Sequence, residues 1–293
     1  GIDYLRRIIR SVIATYRKKL DARVLATDFG YMSTIAKEAV KAFYHKLANP
    51  RSDKTKVLFS EWFKTISQAY PISGEELRKI AELYGFGGRE LEEVDGVKLF
   101  YAIQTYYSLI LKLLAAEVAA RFHDSAASIY IRRLMEATKS SESLRKEMEF
   151  LESGMVYTWF GIRNFLEAEF FSWYLSEWDE EVFRVVCGII EKLNEYDVEA
   201  LTLDLTTARD VFKLLYEELV PRKEVRQKLG IYTTPDWLAE LILDELGLNA
   251  ENLVEMMKKG IDPLDLRILD PGVGTGTFLS LVIQRLAEYL RKY

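Results

Sequence analysis

Apolar residues recur at three- and four-residue spacing through most of residues 1–200, and strand-like alternation between turn residues is scarce there. That spacing places apolar side chains on one face of an α-helix. We therefore predict an all-helical N-terminal region. The predicted helices cover about 3–22, 32–48, 58–70, 74–84, 97–122, 125–137, 142–152, 179–195 and 205–219.

One of these segments, 97–122, is apolar almost all round. A helix without a polar face is buried on every side, so we expect this one at the centre of the core. Its uncharged run from Leu99 to Leu111 is shorter than the roughly 20 residues that span a bilayer. We expect no membrane partner for this chain.

After residue 230 the sequence contains residues that commonly begin and end helices. Thr234 is a suitable N-cap, Pro235 fits the first helical position, and Gly247 can close the helix. Asn249 and Gly260 bracket a second helix in the same way. We expect two short helices here.

A different pattern begins at residue 266. The run from Leu266 to Asp270 is typical of a short buried strand, and a glycine-rich turn and the amphipathic helix Phe278 to Leu290 follow it. Strand, turn and helix in this order open an α/β nucleotide-binding sheet. We therefore predict a helical domain over 1–204 and the start of a second domain over 205–293.

Composition restricts the chemistry. Cys187 is the only cysteine, and His45 and His123 are the only histidines, so a disulfide framework is excluded and no zinc-ligand cluster is present. Cys187 lies in an apolar stretch, where we expect an inert thiol. The net charge of −5 gives no protein-wide attraction for nucleic acid. The first residues lack a secretory signal pattern, which favours a cytoplasmic protein.

The turn at Asp270 to Phe278 is the main candidate for chemistry. Its glycines alternate, which permits positive φ angles and lets the backbone approach a ligand closely. Backbone N–H groups at the start of the following helix would face an anionic group. A turn that holds no ligand stays as the structural alternative.

Two other glycine-rich loops are disfavoured. A phosphate-binding loop ends in Gly-Lys-Ser/Thr, and no lysine occurs in this turn or in the helix as far as Leu290. A dinucleotide loop has a third glycine three residues after the second one. Here Thr277 follows Gly274 at that distance, and Leu279 follows Gly276.

The turn resembles the first S-adenosylmethionine (SAM) loop of the adenine-specific DNA methyltransferases of restriction-modification and phage-defence systems. That loop reads Asp-Pro-(Ala/Phe)-x-Gly-(Ser/Thr)-Gly-x-(Phe/Leu). The matching residues are Asp270, Pro271, Gly274, Thr275, Gly276 and Phe278. Gly272 replaces the usual Ala, a change that adds flexibility and that we expect to be tolerated.

A second element, Arg226 to Pro235, is similar to the family's Arg-Lys-x-x-Gly-x-(Tyr/Phe)-(Tyr/Phe)-Thr-Pro element, with Thr233 where an aromatic residue is more usual. The segment 208–221 resembles the helix that leads into it. The resemblance implies that SAM is the cofactor and is held by Tyr232, Thr234, Pro235, Asp270, Pro271, Gly272, Gly274, Thr275, Gly276 and Phe278.

The fold that the resemblance implies is mainly α, a large N-terminal helical domain followed by the first βα unit of a Rossmann-like SAM-dependent methyltransferase domain. The intact enzyme would transfer the SAM methyl group to adenine N6 in double-stranded DNA, with a nuclease or specificity subunit or domain as a further partner. The family's Pro-Pro-aromatic motif is absent from these residues, so we expect no catalytic residue among them and no activity from this segment alone.

Two alternatives stay open. The first is a methyltransferase that acts on RNA or protein, and the second is a non-catalytic helical interaction or DNA-binding module. A single βα unit leaves apolar surface and unpaired backbone groups. We therefore expect the segment after about residue 262 to be poorly ordered, rearranged or covered by another chain.

Local patches offer weaker signals. Basic residues cluster near the N-terminus and before the Thr-Pro element, where they could contact phosphates. The first cluster, for which solvated helix faces are favoured, is Arg6, Arg7, Arg10, Arg17, Lys18 and Lys19, and the second is Arg222, Lys223, Arg226 and Lys228. Aromatic residues are dense from Tyr157 to Trp178, where core packing is favoured over base stacking.

Overall fold

The computed structural model describes residues 18–19, 21–69, 78–123, 130–166, 170–197, 234–274 and 276–292. Within these ranges the chain is mainly α-helical. The helices are α1 (Ala22–Phe29), α2 (Thr34–Ala48), α3 (Asp53–Ala69), α4 (Gly88–Glu93), α5 (Gly96–His123), α6 (Tyr130–Ala137), α7 (Ser141–Glu152), α8 (Met155–Trp159), α9 (Glu180–Asn194), α10 (Asp236–Glu245), α11 (Ala250–Lys258) and α12 (Thr277–Lys292). Short 3₁₀ helices cover Ala81–Tyr84, Phe170–Glu177 and Pro263–Asp265.

Most predicted helices that fall in the described ranges are confirmed, and local caps fix their starts. The Ser33 hydroxyl accepts a hydrogen bond from the Ala36 N–H at the start of α2. The Asp179 carboxylate accepts bonds from the Glu181 and Val182 N–H groups at the start of α9. Such caps satisfy backbone donors that the helix itself cannot pair.

The predicted helix at 3–22 is wrong where the structure describes it. Lys18–Lys19 forms strand β1, which pairs in parallel with β2 (Tyr196–Asp197). A new helix, α1, then begins after Asp21, whose side chain caps its first turn. The helix predicted at 205–219 and residues 3–17 lie outside the described residues.

Two other predicted helices lie partly outside the described residues. Of the predicted 74–84 helix, the described part contains only the 3₁₀ turn Ala81–Tyr84, which closes at Gly85 with a positive φ of 81°. The helix predicted at 125–137 is described from Tyr130. Both segments still contribute buried side chains to the core.

Helix α5 is central, as its pattern predicts. Its apolar residues are buried, and its closest neighbours are α2, α6 and the 3₁₀ helix Phe170–Glu177. By length and composition α5 could cross a membrane, yet most of its apolar stretch is enclosed by the other helices. The surrounding helices therefore bury most of the surface of α5, while Leu111, Ala115 and Val118 on one side are only partly buried.

An ion pair lies inside this core. The Lys112 ammonium on α5 is 2.5 Å from the Glu152 carboxylate at the end of α7, and both residues are buried. The Tyr174 hydroxyl donates to the other Glu152 oxygen at 2.9 Å, and the Tyr157 hydroxyl donates to the Lys112 carbonyl at 2.8 Å. Buried charges persist only when they are paired and hydrogen-bonded in this way.

A second buried carboxylate organises the start of α3. Glu177 is fully buried and accepts hydrogen bonds from the Ser52 N–H at 2.9 Å and from the Thr55 hydroxyl at 2.7 Å. Burial alone would raise the pKa of Glu177, but these bonds and those from Arg51 outweigh it and lower the pKa. The carboxylate thus stays ionised and ties α3 to the 3₁₀ helix Phe170–Glu177.

The predicted strand at Leu266 to Asp270 is wrong, and so no βα unit is seen among the described residues. This segment has no strand partner there, and Leu269 is 87% exposed and Ile268 40% exposed. A strand exists only as part of a hydrogen-bonded ladder, so an apolar run without a neighbour stays irregular.

We predict that Lys112→Met lowers the free energy of unfolding by about 3–5 kcal/mol, because Glu152 is then left as an unpaired buried charge. Lys146→Met is the matched control, since its partner Glu142 is exposed on α7, and no resolvable change is expected. Urea unfolding followed by circular dichroism measures both. Adding Glu152→Gln to Lys112→Met should recover part of the loss, and a loss below about 1 kcal/mol for Lys112→Met would contradict a structural role for the pair.

Candidate functional site

The predicted helix from Trp237 to Leu246 is present as α10 (Asp236–Glu245), but its N-cap is not the predicted residue. The N-cap of α10 is Pro235, with φ −59° and ψ 139°, so Thr234 lies one residue before the cap and does not serve as the N-cap. Proline has a fixed φ that suits this boundary, and it needs no hydrogen-bond partner for its nitrogen. The predicted end of this helix at Gly247 is confirmed, and Gly247 has a φ of 79°. The second predicted helix, α11, is also confirmed between Asn249 and Gly260.

Helices α10 and α12 pack directly against each other. Their shared apolar cluster consists of Ala239, Leu243, Leu281 and Val282, with Leu248, Phe278 and Leu286 at its edge. Phe278 is one of the predicted cofactor residues. The structure therefore brings the helix that follows the Thr-Pro element and the helix that follows the glycine turn into one unit.

Arg285 adds a polar connection between the same two helices. Its guanidinium donates to the Asp244 carboxylate and to the Leu248 carbonyl, both at 2.7 Å, and to the Glu240 carbonyl at 3.2 Å. A guanidinium satisfies several acceptors at once because its donors form a rigid fork. Sequence reasoning missed this residue, because nothing in the local pattern around Arg285 points to a partner 41 residues away.

The glycine turn adopts the backbone that its composition predicts. Gly274 has a φ of 51° and Gly276 a φ of 78°, both in the left-handed region that side chains disfavour. The Asp270 carboxylate accepts a hydrogen bond from the Gly272 N–H at 3.0 Å, and the Gly276 N–H donates to the Val273 carbonyl at 2.7 Å. These bonds fold the segment into a tight turn that leads into α12.

The glycines leave open space beside the turn. No atom lies within 4 Å of where a Cβ would stand on Gly272 or Gly276, and Pro271, Gly272 and Gly274 are exposed. The usual Ala of the resembling family would therefore fit at Gly272. The backbone of the turn is accessible to a ligand from solvent.

Asp270 has a buried carboxylate oxygen without a hydrogen-bond partner. One carboxylate oxygen bonds to Gly272, but the other, Oδ2, is buried and has no hydrogen-bond partner. A buried acceptor without a donor is costly, and such atoms in native proteins call for an explanation. A ligand that carries an ammonium, an amide or a hydroxyl group could supply the missing donor.

The structure does not place every predicted site residue beside the glycine turn. Tyr232 and Thr275 lie outside the described residues. The basic cluster that begins at Arg222 lies outside them too. Thr234 is half-buried and Pro235 is exposed, directly before α10.

Other chemistries find little support in the described part of the chain. No group of three His, Cys, Asp or Glu side chains there could hold a metal ion. His45 is 2.9 Å from the Glu90 carboxylate and takes part in a partly exposed ion network. Cys187 is half-buried, and burial raises the pKa of its thiol to about 11, with Glu191 and Glu180 adding to the rise.

We predict that Gly276→Ala speeds amide hydrogen exchange in the first turns of α12, because alanine in the left-handed region costs about 1–2 kcal/mol. Gly272→Ala is the matched control in the same turn. Its φ is ordinary and its Cβ meets no atom, so its exchange should stay close to that of the native chain. Equal effects of the two substitutions would show that the turn does not require the left-handed conformation at Gly276.

We predict that Cys187 reacts slowly with iodoacetamide near neutral pH, because only the thiolate attacks and a thiol of pKa about 11 is scarcely ionised. At about pH 8 the native rate should be at least about a hundredfold below the rate in urea, where the thiol has an ordinary pKa. The native rate should then rise about tenfold per pH unit towards pH 10. A native rate close to the urea rate would contradict the burial of this thiol.

Comparison with known proteins gives no match for this chain, whether with protein-family models, with curated proteins or with solved structures. Conclusions about function therefore depend on the residues themselves. The features from which a function can be proposed are the glycine turn, the unpartnered Asp270 oxygen and the packed pair α10 and α12.

Proposed function

We propose that this chain is the N-terminal part of a SAM-dependent DNA methyltransferase, which transfers a methyl group to adenine N6 in a restriction-modification or phage-defence system. The observation that carries the proposal is the packing of α10 on α12. It brings together the helix that follows Pro235 and the helix that follows the glycine turn, and each of these helices comes directly after one of the two elements that resemble the family.

The start of α12 is suited to the carboxylate of SAM. The first turn of a helix presents backbone N–H groups without intrahelical partners, together with the positive end of the helix dipole. Glycines at positions 272, 274 and 276 leave that end accessible. In this proposal the methionine carboxylate binds the N–H groups near Thr277, and Tyr232, Thr234 and Pro235 close over the same end of the cofactor.

Asp270 would supply the complementary charge. Its buried, unpartnered Oδ2 is an acceptor beside the turn, and the methionine part of SAM carries an ammonium group that can donate to it. A carboxylate and a helix N-terminus side by side match the two opposite charges of an amino acid. The proposal thus explains both the open glycines and the unpaired oxygen.

The exposed apolar side chains of Ile268 and Leu269 would suit a strand packed inside a sheet. In a Rossmann-like domain the segment Leu266 to Asp270 would pair with neighbouring strands, and helices would cover both faces. The exposure of these two residues is the expected result for such a segment without its neighbours. The same proposal places double-stranded DNA, and a nuclease or specificity subunit, among the partners of the intact enzyme.

The second candidate is a non-catalytic helical module that binds DNA or organises other subunits. It is favoured by the absence of any strand within the described part of 234–292 and by the extensive helical core around α5. The two candidates differ in a measurable property, because only the methyltransferase needs to bind SAM.

Calorimetric titration of SAM into the full-length protein tests the proposal. We expect binding at one site, and Asp270→Asn should weaken it by about ten- to hundredfold, since the carboxylate charge that pairs with the SAM ammonium is lost. Asp265→Asn is the matched control, because Asp265 is exposed on a neighbouring 3₁₀ helix, and it should bind SAM like the native protein.

Transfer of label from isotopic SAM to DNA tests the reaction itself. After digestion, the label should be found in N6-methyladenine. Absence of SAM uptake by the full-length protein would exclude the methyltransferase, whereas SAM uptake with label in RNA or protein instead of DNA would change the substrate class.

A further inference from the structure

Apolar contacts hold the helical core together even where some of its aromatic rings stay at the surface. In the aromatic stretch, core packing is confirmed for Tyr157, Trp173 and Tyr174, which are fully buried. It is wrong for Trp159 and Phe165, which are 56% and 48% exposed. Many other buried side chains surround α5, and their close packing fixes the arrangement of these helices.

Helices α10 and α12 share a much smaller apolar contact. The buried residues of α10 are Ala239 and Leu243, and they form one cluster with Leu281 and Val282 of α12. Because apolar burial is not directional, a contact of this size favours the pairing of two helices without selecting one relative position. A directional contact is needed to fix how far one helix is shifted along the other.

Arg285 supplies a directional contact at the C-terminal end of α10. Its guanidinium donates to the Glu240 carbonyl, to the Asp244 carboxylate and to the Leu248 carbonyl beyond the end of the helix. Each hydrogen bond weakens when its length or angle changes, and the donors of a guanidinium have a fixed geometry. All three bonds therefore form together only when α10 lies at one position along α12.

The charges at this end of α10 favour the same position. Its last turn contains Asp244 and Glu245 and no basic residue. Negative charge at the C-terminus of a helix is unfavourable, because the helix dipole already makes that end negative. Arg285 brings a positive charge there from α12, and only 19% of its side chain is exposed. The C-terminal end of α10 is thus stabilised where it meets Arg285.

The position of α10 also determines where its first residues lie. Pro235 is the N-cap of α10, and Gly276 directly precedes α12. A shift of α10 by a single helical turn would move Pro235 by about 5.4 Å relative to Gly276. A site that uses residues before both helices would lose its geometry after such a shift.

We propose that Arg285 is a positioning residue of the cofactor site, which holds α10 at the place on α12 where the Thr-Pro element and the glycine turn bind the same SAM molecule. This inference rests on the proposed function. Arg285 lies about two turns into α12, outside both elements that resemble the family, and it is not assigned any contact with SAM.

Calorimetric titration of SAM into full-length variants tests the positioning role. Arg285→Lys keeps the positive charge but lacks the fork, so α10 should occupy its native place only part of the time. If that fraction is about one tenth, the SAM affinity falls about tenfold, because the apparent affinity scales with the binding-competent fraction. Arg291→Lys is the matched control, since Arg291 is exposed on the same helix, and it should bind SAM like the native protein.

Amide hydrogen exchange without SAM tests the structural step by itself. The amides of α10 should exchange faster in Arg285→Lys than in the native protein, whereas those of α2 should not change. Saturating SAM should bring the exchange of α10 in Arg285→Lys close to the native rate, because the ligand favours the arrangement that binds it. The affinities are measured well below the unfolding midpoint, where a loss of stability alone leaves almost all of the protein folded.

Two results would overturn the positioning role alone. They are an exchange rate in α10 that Arg285→Lys does not change, and a SAM affinity of Arg285→Lys equal to that of the native protein. Faster exchange with an unchanged affinity would show that Arg285 only stabilises the packing of the two helices. Absence of SAM binding by the native protein is a different failure, since it contradicts the cofactor proposal and this inference together.

Discussion

Burial of α5 is the constraint on which the described helical core depends. A long helix with apolar residues on every side is stable only when most of its surface is removed from water, and α2, α6, α7, α8 and the 3₁₀ helix Phe170–Glu177 pack around it. The helices that pack around α5 also bury some polar side chains, and a buried polar group needs a hydrogen-bond partner. Glu177 receives backbone and hydroxyl donors at the start of α3, and Glu117 accepts the Ile131 N–H at the start of α6. These two carboxylates accept hydrogen bonds from the first residues of α3 and α6, and so they help to hold both helices in place around α5.

The segment from α10 to α12 has, by contrast, little buried core of its own. Its apolar cluster is small, and side chains such as Trp237 and Leu269 stay largely exposed. Surface of this kind is usually covered by another part of a protein or by a partner. What is well defined here is local: a turn held by Asp270, two left-handed glycines, and two helices joined by Arg285. In the proposed function, the cofactor site would use these local features, and catalysis would need a sheet around them.

Local sequence signals predicted the structure well where the determining contacts are themselves local. Helices α2, α5, α7, α9 and α12 follow from apolar spacing and from caps such as Ser33 and Asp179, and the positive φ at Gly274 and Gly276 follows from composition. The predicted strand at Leu266 to Asp270 is wrong because a strand depends on a neighbour that the run itself does not specify. The Lys112–Glu152 pair could not be predicted, since 40 residues separate its members. The unpaired oxygen of Asp270 likewise results from burial in three dimensions, although the residue was identified from its motif.

The central claim is that the turn at Asp270 to Phe278 and the Thr-Pro element bind one SAM molecule together. Ultraviolet crosslinking of radiolabelled SAM to the full-length protein, followed by peptide mapping, tests it most directly. We expect label in peptides that contain Tyr232 to Pro235 or Asp270 to Phe278, and we expect unlabelled S-adenosylhomocysteine to compete for it. Label confined to other peptides, or no label that the competitor removes, would contradict the claim.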